Sequence, residues 1–588
     1  NDDLIAAYSF RKTQGSTNFQ GINKYVMENV GAMYNQLQLN GKNYHIRAYK
    51  YDEDGGDSYD AVFGAWNINR AAKSDNAWFQ DYLGVYTGLI QSNFASYGGI
   101  YLNEFDTIGV SQVIPTFDHI SARQFADYGG YIANGVYEGL TGNNSQTDSE
   151  NINDFLISSL QFDAHSRFEP GSEEFEQAFN NVKSIKNFSE GAGFISESQI
   201  YEIDAMYDFE DRFSLFNILV GGNYKMYRPY TDGSVYSDSD NLVSDFGKIE
   251  VNEHALFVQF SKLLLNNKVK LQSTFRVDGH SNFESRFSPR FSAVYSLTDF
   301  QHFRASYQSG FSNPTIQNQY LDLDLGIQYS MGGTENNAIR TGRTRLFTEG
   351  VIAVQNEDGS TSYEIEETDY IKAEYQTSYE IGYKGLLSEN LFLDFNYYAS
   401  EYTDPFGTKT IYDIETCSQE TDSTALNCAG GMRYSVGVNK EGIDKLHGYG
   451  ISITYNFSSG YRVGGSYSFT DMNIEPEKAF REQTGRPKNR FKLSLSNPNL
   501  FNNLGFSLAG RYNDSYFQNQ GLMFGEGTIE SKTIVDVQLT YLLENFQTSV
   551  KMGINNLFGE SYTQSIGGPS IGQTVYLAMT FDKLLSLK

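Results

Sequence analysis

Only 2 tryptophans, 2 cysteines and 10 prolines occur in 588 residues, and 44 basic residues face 72 acidic ones. The resulting net charge of −28 excludes a nucleic-acid partner, which would call for a basic face. No run approaches the roughly 18 consecutive apolar residues that a spanning helix needs, so a helical membrane protein is excluded. A membrane β-barrel is not excluded, because its signal per strand is weak. A GxSxG elbow and a Walker-type loop are both missing, and the seven histidines (45, 119, 165, 254, 280, 302 and 447) form no pair at metal-ligand spacing. Neither enzymatic activity nor a cofactor is expected. Cys417 and Cys428 bracket "SQETDSTALN" with no His or further Cys nearby, which reads as a disulfide and favours an oxidising compartment.

Aromatic residues are plentiful instead. There are 43 Tyr and 43 Phe, 15% aromatic in a hydrophobic total of 39%, yet the mean hydropathy is −0.46. Both facts follow if apolar and polar residues alternate. In "SRFSPRFSAVYSLTDFQHFRASYQSGF" (285–311), Phe287, Pro289, Phe291, Ala293, Tyr295 and Leu297 alternate with Ser288, Arg290, Ser292, Val294 and Ser296. Phe303, Ala305, Tyr307 and Phe311 then alternate with Arg304, Ser306 and Gln308. Period two makes strands with one greasy and one polar face. The same pattern predicts strands near 269–277, 287–297, 303–311, 372–383, 391–402, 449–457, 461–469, 490–496, 504–512, 533–541, 547–554 and 573–581.

Connectors of about 3 to 7 residues take turns with long ones, the largest near 312–371 and 403–448. A soluble sandwich has no reason to collect its long loops at one end, whereas an up-and-down barrel across an outer membrane does. Closure also lets the greasy face meet lipid and the polar face a wet lumen, with no unpaired edge. The first 200 residues are less regular. Leu4, Ala6, Tyr8 and Phe10 suggest a short strand, and "QLQLNGKNYHIRAY" a hairpin at Asn40-Gly41. Helical spacing in Trp78, Phe79, Tyr82, Leu83 and Tyr86, and again in "GSEEFEQAFNNVKSI", predicts helices inside long loops. The fold class is therefore all-β, a transmembrane antiparallel barrel of about twenty strands, given one strand per 25 to 30 residues with loops included.

"FSPRFSAVY" (287–295), "FRASYQSGFSNPTIQNQY" (303–320), "SYEIGYKG" (378–385) and "INNLFGESY" (554–562), with "GKNYHIRAYKYDEDGGDSYDAVF" (41–63) and "SARQFADYGG" (121–130), resemble the barrel of TonB-dependent outer-membrane receptors, including the SusC-related transporters. The resemblance covers nearly the whole chain, residues 1–588, and implies about 22 strands around an N-terminal plug. It also implies nutrient import energised by TonB, in the outer membrane of a Gram-negative bacterium. The chain departs from the family pattern in three places. No plug or TonB box is recognisable, so it reads as the barrel portion. Ser312 stands in "GFSNP" where the family often has Arg, and "DKLLSLK" follows Phe581, the aromatic expected to end the last strand.

Arg276, Arg290, Arg304, Glu380 and Lys384 are candidates for contact with plug or substrate, since charges in a narrow lumen need partners. An ordinary hydrated wall, or pairing across neighbouring strands, is the competing reading for each. Asp52, Asp54 and Asp57 in "DEDGGDSYD" form a weak calcium candidate that lacks the spacing and terminal Glu of an EF-hand. Implied partners are lipid and lipopolysaccharide, TonB through a plug outside this chain, a SusD-like surface lipoprotein, and a glycan, peptide or metal chelate as cargo. Two other functions compete with import: a scaffold for an outer-membrane lipoprotein, assembly or secretion complex, and a passive porin.

Overall fold

Among the described residues, eighteen long strands follow one another in an antiparallel meander. They are β1 (Ile5–Gln20), β2 (Lys24–Asn40), β3 (Tyr44–Asp54), β4 (Gln199–Asp208), β5 (Asn217–Arg228), β6 (Val251–Leu264), β7 (Val269–His280), β8 (Arg286–Thr298) and β9 (Gln301–Ser312). Then come β10 (Glu374–Ser388), β11 (Leu391–Thr403), β12 (Ile443–Asn456), β13 (Arg462–Asn473), β14 (Asn489–Phe501), β15 (Leu504–Asn513), β16 (Lys532–Leu543), β17 (Thr548–Asn555) and β18 (Thr574–Phe581). Each strand pairs with the next in sequence. This computed structural model describes the chain apart from residues 1–3, 21–23, 77–101, 108–112, 118–167, 169, 211, 214, 240–245, 327, 357, 420–425, 475–479, 482–484, 520–525 and 582–588. Among the described residues, no helix is long and apolar enough to cross a membrane. Two units divide the chain: residues 1–58 with 195–588, and residues 59–194.

All twelve strands expected from residue 269 onward are present. Several run further than the apolar alternation does. β12, expected from residue 449, starts at Ile443, because ladder pairing with β11 continues beyond the stretch of regular alternation. β1 is 16 residues long where a short strand was expected, and the Asn40-Gly41 hairpin joins β2 to β3.

Two-residue turns at 299–300, 389–390 and 502–503 mark one end of the meander. At 502–503, Asn502 and Asn503 both adopt positive φ, the requirement of a type I′ hairpin, which asparagine meets with little strain. The connections at 55–198, 229–250, 313–373, 404–442, 514–531 and 556–573 mark the other end. Two connections there, 21–23 and 281–285, are short, so the alternation of long and short is not strict.

Registers fix the two faces. Phe291 lies opposite Tyr307 and Tyr307 opposite Tyr379, with ring centroids 6.3 and 5.2 Å apart. This aromatic ribbon also links Phe216, Phe260, Phe275 and Phe291 at 6.1, 6.3 and 5.6 Å, and Tyr449, Tyr467, Phe491 and Tyr512 at 5.7, 4.5 and 6.0 Å. Leu256 is 74% exposed and Phe287 57% on this outer face, as a lipid-facing surface requires. Inward positions carry serine, glutamine and charge. Two inward aromatics lie over glycine: a Cβ on Gly448 would meet the Tyr398 hydroxyl at 2.5 Å, and one on Gly553 the Tyr576 ring carbon at 2.4 Å. Both hydroxyls are bonded, Tyr398 with Thr470 at 2.8 Å and Tyr576 to Gln538 at 2.9 Å.

The unit of residues 59–194 contains α1 (Ala61–Ala72) and α2 (Glu173–Ser184). Asp60 caps α1, its Oδ1 accepting from Val62 N at 2.8 Å and Phe63 N at 3.0 Å; Ser172 caps α2 through Phe175 N at 3.1 Å. Phe63 stacks on Phe188 at 4.9 Å, and Asn67 Nδ2 donates to the carbonyls of Phe188 and Gly191 at 3.0 and 2.7 Å. α2 is the helix expected in "GSEEFEQAFNNVKSI", whereas α1 was not expected. The helix expected around Trp78–Tyr86, and "SARQFADYGG", lie outside the described residues.

Candidate functional site: the lumen wall and the external sheet

Each of the five expected charges sits on the inward face. Arg304 Nε donates to Glu380 Oε1 at 2.9 Å, its Nη2 lies 3.9 Å from Asp394, and Lys384 approaches the other oxygen of Asp394 at 3.8 Å. Thus Arg304, Glu380 and Lys384 form one cluster with Asp394 across β9, β10 and β11. Arg276 stands apart, forking onto Asp278 at 2.9 Å and reaching Asn223 at 3.4 Å. Arg290 faces Thr274 and Gln308 in the register, and among the described residues no carboxylate lies within 4 Å of it. Pairing across strands therefore accounts for Arg304, Glu380 and Lys384, Arg276 is held by Asp278 of its own strand, and Arg290 is the one of the five left open to the lumen.

A larger network on β2 to β7 was not expected from the sequence. His45 Nε2 lies 3.7 Å from Asp204, Arg47 bonds Asp204 at 2.7 Å and Glu202 at 3.4 Å, and Tyr49 donates to Glu202 at 2.7 Å. Lys225 reaches the same Glu202 at 3.8 Å, Tyr227 donates to Glu253 at 3.5 Å, and His280 faces Glu253 at 3.8 Å. Inward amides of β2 extend it: Tyr34 donates to Gln36, Gln36 to Gln38 at 2.9 Å and Gln38 to Asn40 at 3.2 Å, and Asn40 meets His45 at 2.6 Å. Alternation in "QIYEIDAMYD" puts Glu202 and Asp204 on one face, but Arg47 and Tyr49 come from β3, 157 and 153 residues away from them, which alternation alone cannot pair.

At the loop end, the connections 313–373 and 404–442 fold together into a second sheet. Strands Asp322–Asp324, Tyr329–Met331, Arg433–Asn439, Phe406–Tyr412, Gly350–Gln355 and Thr361–Glu366 lie in that order, with Phe480–Arg481 paired to Phe406–Tyr412. Met331, Leu346, Phe347, Ile411, Val436 and Val438 fill its core. Tyr329 and Tyr434 stack at 5.3 Å, and Arg343 lies against both rings, 4.9 and 5.5 Å away, and donates to Asp322 at 2.5 Å. Lys440 and Asp444 form an ion pair at its base, with side chains only 1% and 2% exposed. Cys417 and Cys428 are joined in a disulfide that closes the hairpin of Ser418–Gln419 and Leu426–Asn427. Arg345 reaches from Arg345–Thr348 to Asp413 at 3.1 Å and also to Glu415, whose carboxyl it holds below the usual range.

The calcium expectation does not assemble. Asp52 pairs with Lys50 at 2.6 Å and accepts from Gln199 at 3.0 Å; Asp54 accepts from Gly56 N at 2.9 Å; Asp57 accepts from Asn29 at 2.9 Å. Among the described residues, no group of three or more His, Cys, Asp or Glu could hold a metal ion. Asp238, in the loop 229–250, is likewise engaged, its two oxygens accepting from Thr231 N, Thr231 Oγ1 and Gly233 N at 2.7, 2.8 and 2.8 Å. Burial still pushes its carboxyl above the ordinary value.

An inward polar wall, an outward aromatic ribbon and folded loops at one end make a lipid-embedded barrel. Residues 65–557 match the family described as "TonB dependent receptor-like, beta-barrel". The chain belongs to this family. As a TonB-dependent receptor barrel it falls among receptors and transporters of the Gram-negative outer membrane, and its short turns mark the periplasmic end. Among curated proteins none matches. The siderophore receptor PirA from Acinetobacter baumannii superposes with a TM-score of 0.53 at 9% identity over 99% of this chain and 69% of that one. The FrpB iron transporter from Neisseria meningitidis (F3-3 variant) gives 0.52 at 13% over 98% and 68%, and the copper transporter OprC 0.53 at 9% over 99% and 70%.

Proposed function

We propose that this barrel imports a nutrient in the SusC-like manner, with TonB acting through a plug outside these 588 residues. The supporting observation is the external sheet: two long loops that could have stayed irregular are packed around a common core, and one of them carries a disulfide-closed hairpin, as a preorganised capture surface requires. A passive pore would gain nothing from ordering them. Arg276, Arg304, Glu380 and Lys384 shape the passage through their fixed pairs, and Arg290 offers a free cation to plug or cargo. The cargo is a glycan, a peptide or a metal chelate, and a SusD-like lipoprotein is the partner expected above the external sheet.

The test is uptake by a strain lacking the gene, complemented with the full-length protein and supplied with each cargo class in turn. Import of one class that stops when TonB is removed supports the proposal. A scaffold for a surface complex is the second reading, since the same rigid sheet could hold a lipoprotein. It would be supported by a fixed set of partners copurifying without ligand while uptake of every class is unaffected by deletion.

A further inference from the structure

Charge is unevenly shared around the lumen. Val463, Phe491, Leu508, Leu539 and Met552 are exposed on the lipid side of β13–β17, so the residues alternating with them face inward. The inward face of β13–β18 thus carries Arg462, Arg490, Lys492, Arg511, Lys532 and Lys551, and among its described strand residues Asp536 is the one carboxylate, in a chain of net charge −28. Asp536 lies 3.6 Å from Arg511 and also accepts from Asn556 N at 2.9 Å. Among the described residues, no carboxylate lies within 4 Å of the other cations. Lys532 donates to the Thr563 carbonyl at 2.6 Å, and although Glu530 and Glu560 line the same recess of about 540 Å³ at the loop end, neither comes within 4 Å of it. Lys492 and Arg511 stand directly opposite each other in the register, an arrangement of like charges that costs stability. Arg490 and Lys532 flank Asn513 one row nearer the loops. With strands about 5 Å apart and about 7 Å between rows, these four cations cover a patch about 10 Å wide and about 7 Å tall.

We propose that the cargo is a polyanion, bearing two or more carboxylate or sulfate groups, and that it enters along this wall. The inference rests on the import reading and narrows it. A single anionic group engages one neighbouring pair of cations, whereas a patch of this size takes several at once. The clusters on β3–β7 and β9–β11 pair their charges internally, so the wall of β13–β18 sets the sign of the passage. A passage lined by one sign focuses the field and raises the local concentration and entry rate of the opposite charge. Arg462 at the start of β13 and Lys551 on β17 continue the lane toward the short-turn end, which gives an anion further cations beyond the mouth. The patch occupies the first two rows at the loop end, beside the recess of the loops 514–531 and 556–573, where cargo arrives. That level favours cargo as its occupant over an acidic segment of the plug.

Full-length protein in detergent, titrated calorimetrically with trigalacturonate, its neutral methyl ester and ferric citrate, tests it. Binding of an anion that weakens as salt rises is expected, and trigalacturonate should exceed its ester. Trigalacturonate above ferric citrate makes the cargo an acidic oligosaccharide, and the reverse order a carboxylate chelate. R490Q/K492Q should weaken the bound anion roughly tenfold, the loss of two solvated ion pairs, while K262Q on the outward face should change nothing. Heat-modifiable gel mobility checks that each variant is folded, and a double variant that fails this check is replaced by the single K492Q form. Binding of neither anion, equal affinity for acid and ester, or unchanged affinity in the variant overturns the proposal. Unchanged affinity together with faster proteolysis of the plug would assign the wall to the plug and overturn it too. TonB-dependent uptake confined to a neutral cargo would sink the polyanion and leave import standing, whereas anion binding without uptake of any cargo would sink import and leave the anion site in place.

Discussion

Glu415 and Lys440 show how differently two ion pairs behave when one is solvated and the other buried. Glu415 is exposed and its carboxyl is lowered, first through the hydrogen bond from Arg345. Its contribution is present above the ordinary glutamate value of 4.5 and lost as pH falls through the depressed one. Limited proteolysis of the 413–417 segment should therefore accelerate only in acid, and Arg345→Ala should abolish that pH dependence. Removing Lys440 instead strands the Asp444 carboxylate in a buried site, at a cost of about 3–5 kcal/mol. Lys440→Ala should loosen the base of the external sheet in hydrogen-exchange measurements, while the paired change Lys440→Met with Asp444→Leu should restore much of the protection.

At the scale of elements, the disulfide hairpin is separable from the barrel. Cys417 and Cys428 lie 11 residues apart, a loop whose closure is worth about 2–3 kcal/mol locally. Deleting 417–428 should leave heat-modifiable mobility intact and reduce uptake, and unchanged uptake would remove this hairpin from the capture surface. The strands were legible in the sequence for a physical reason: Phe287, Phe291 and Tyr295 meet lipid while Ser288 and Ser292 meet the lumen, so solvent on each side writes a period of two. The external sheet left no such trace. Residues such as Val351, Ile352, Val436 and Val438 are buried on both faces of short strands whose partners lie far away in sequence, as Tyr329 with Tyr434 does. Its only visible mark was the cysteine pair. Among the candidate charges, the sequence indicated the face but not the partner, which is why Arg304 with Glu380 could be placed inward but not joined.

For the molecule as a whole, the orientation of the wall is the testable quantity. Leu256 points to lipid, so Leu256→Arg should cost about 2–4 kcal/mol of barrel stability if it lies near the bilayer midplane. Arg290→Leu, on the lumen side with no carboxylate to strand, should change stability by less than about 1 kcal/mol. Urea unfolding of the reconstituted barrel measures both, and a reversed ranking would mean that the faces have been assigned the wrong way round. Folding free energy in such a wall comes from ladders and lipid contact, and the ion pairs of the lumen, such as Arg304 with Glu380, add little because both members remain wet.

The inward row Tyr34, Gln36, Gln38 and Asn40 has a further consequence for anything that moves past it. Every one of these side chains already donates to or accepts from its neighbour two residues on, and His45 closes the row. A solute sliding along β2 therefore meets amides already held in line, each with a remaining N–H or lone pair in a fixed position. Across the wall, the guanidinium of Arg290 has no such prior engagement. The passage thus presents a fixed row of partly engaged amides on one side and an unpaired guanidinium on the other.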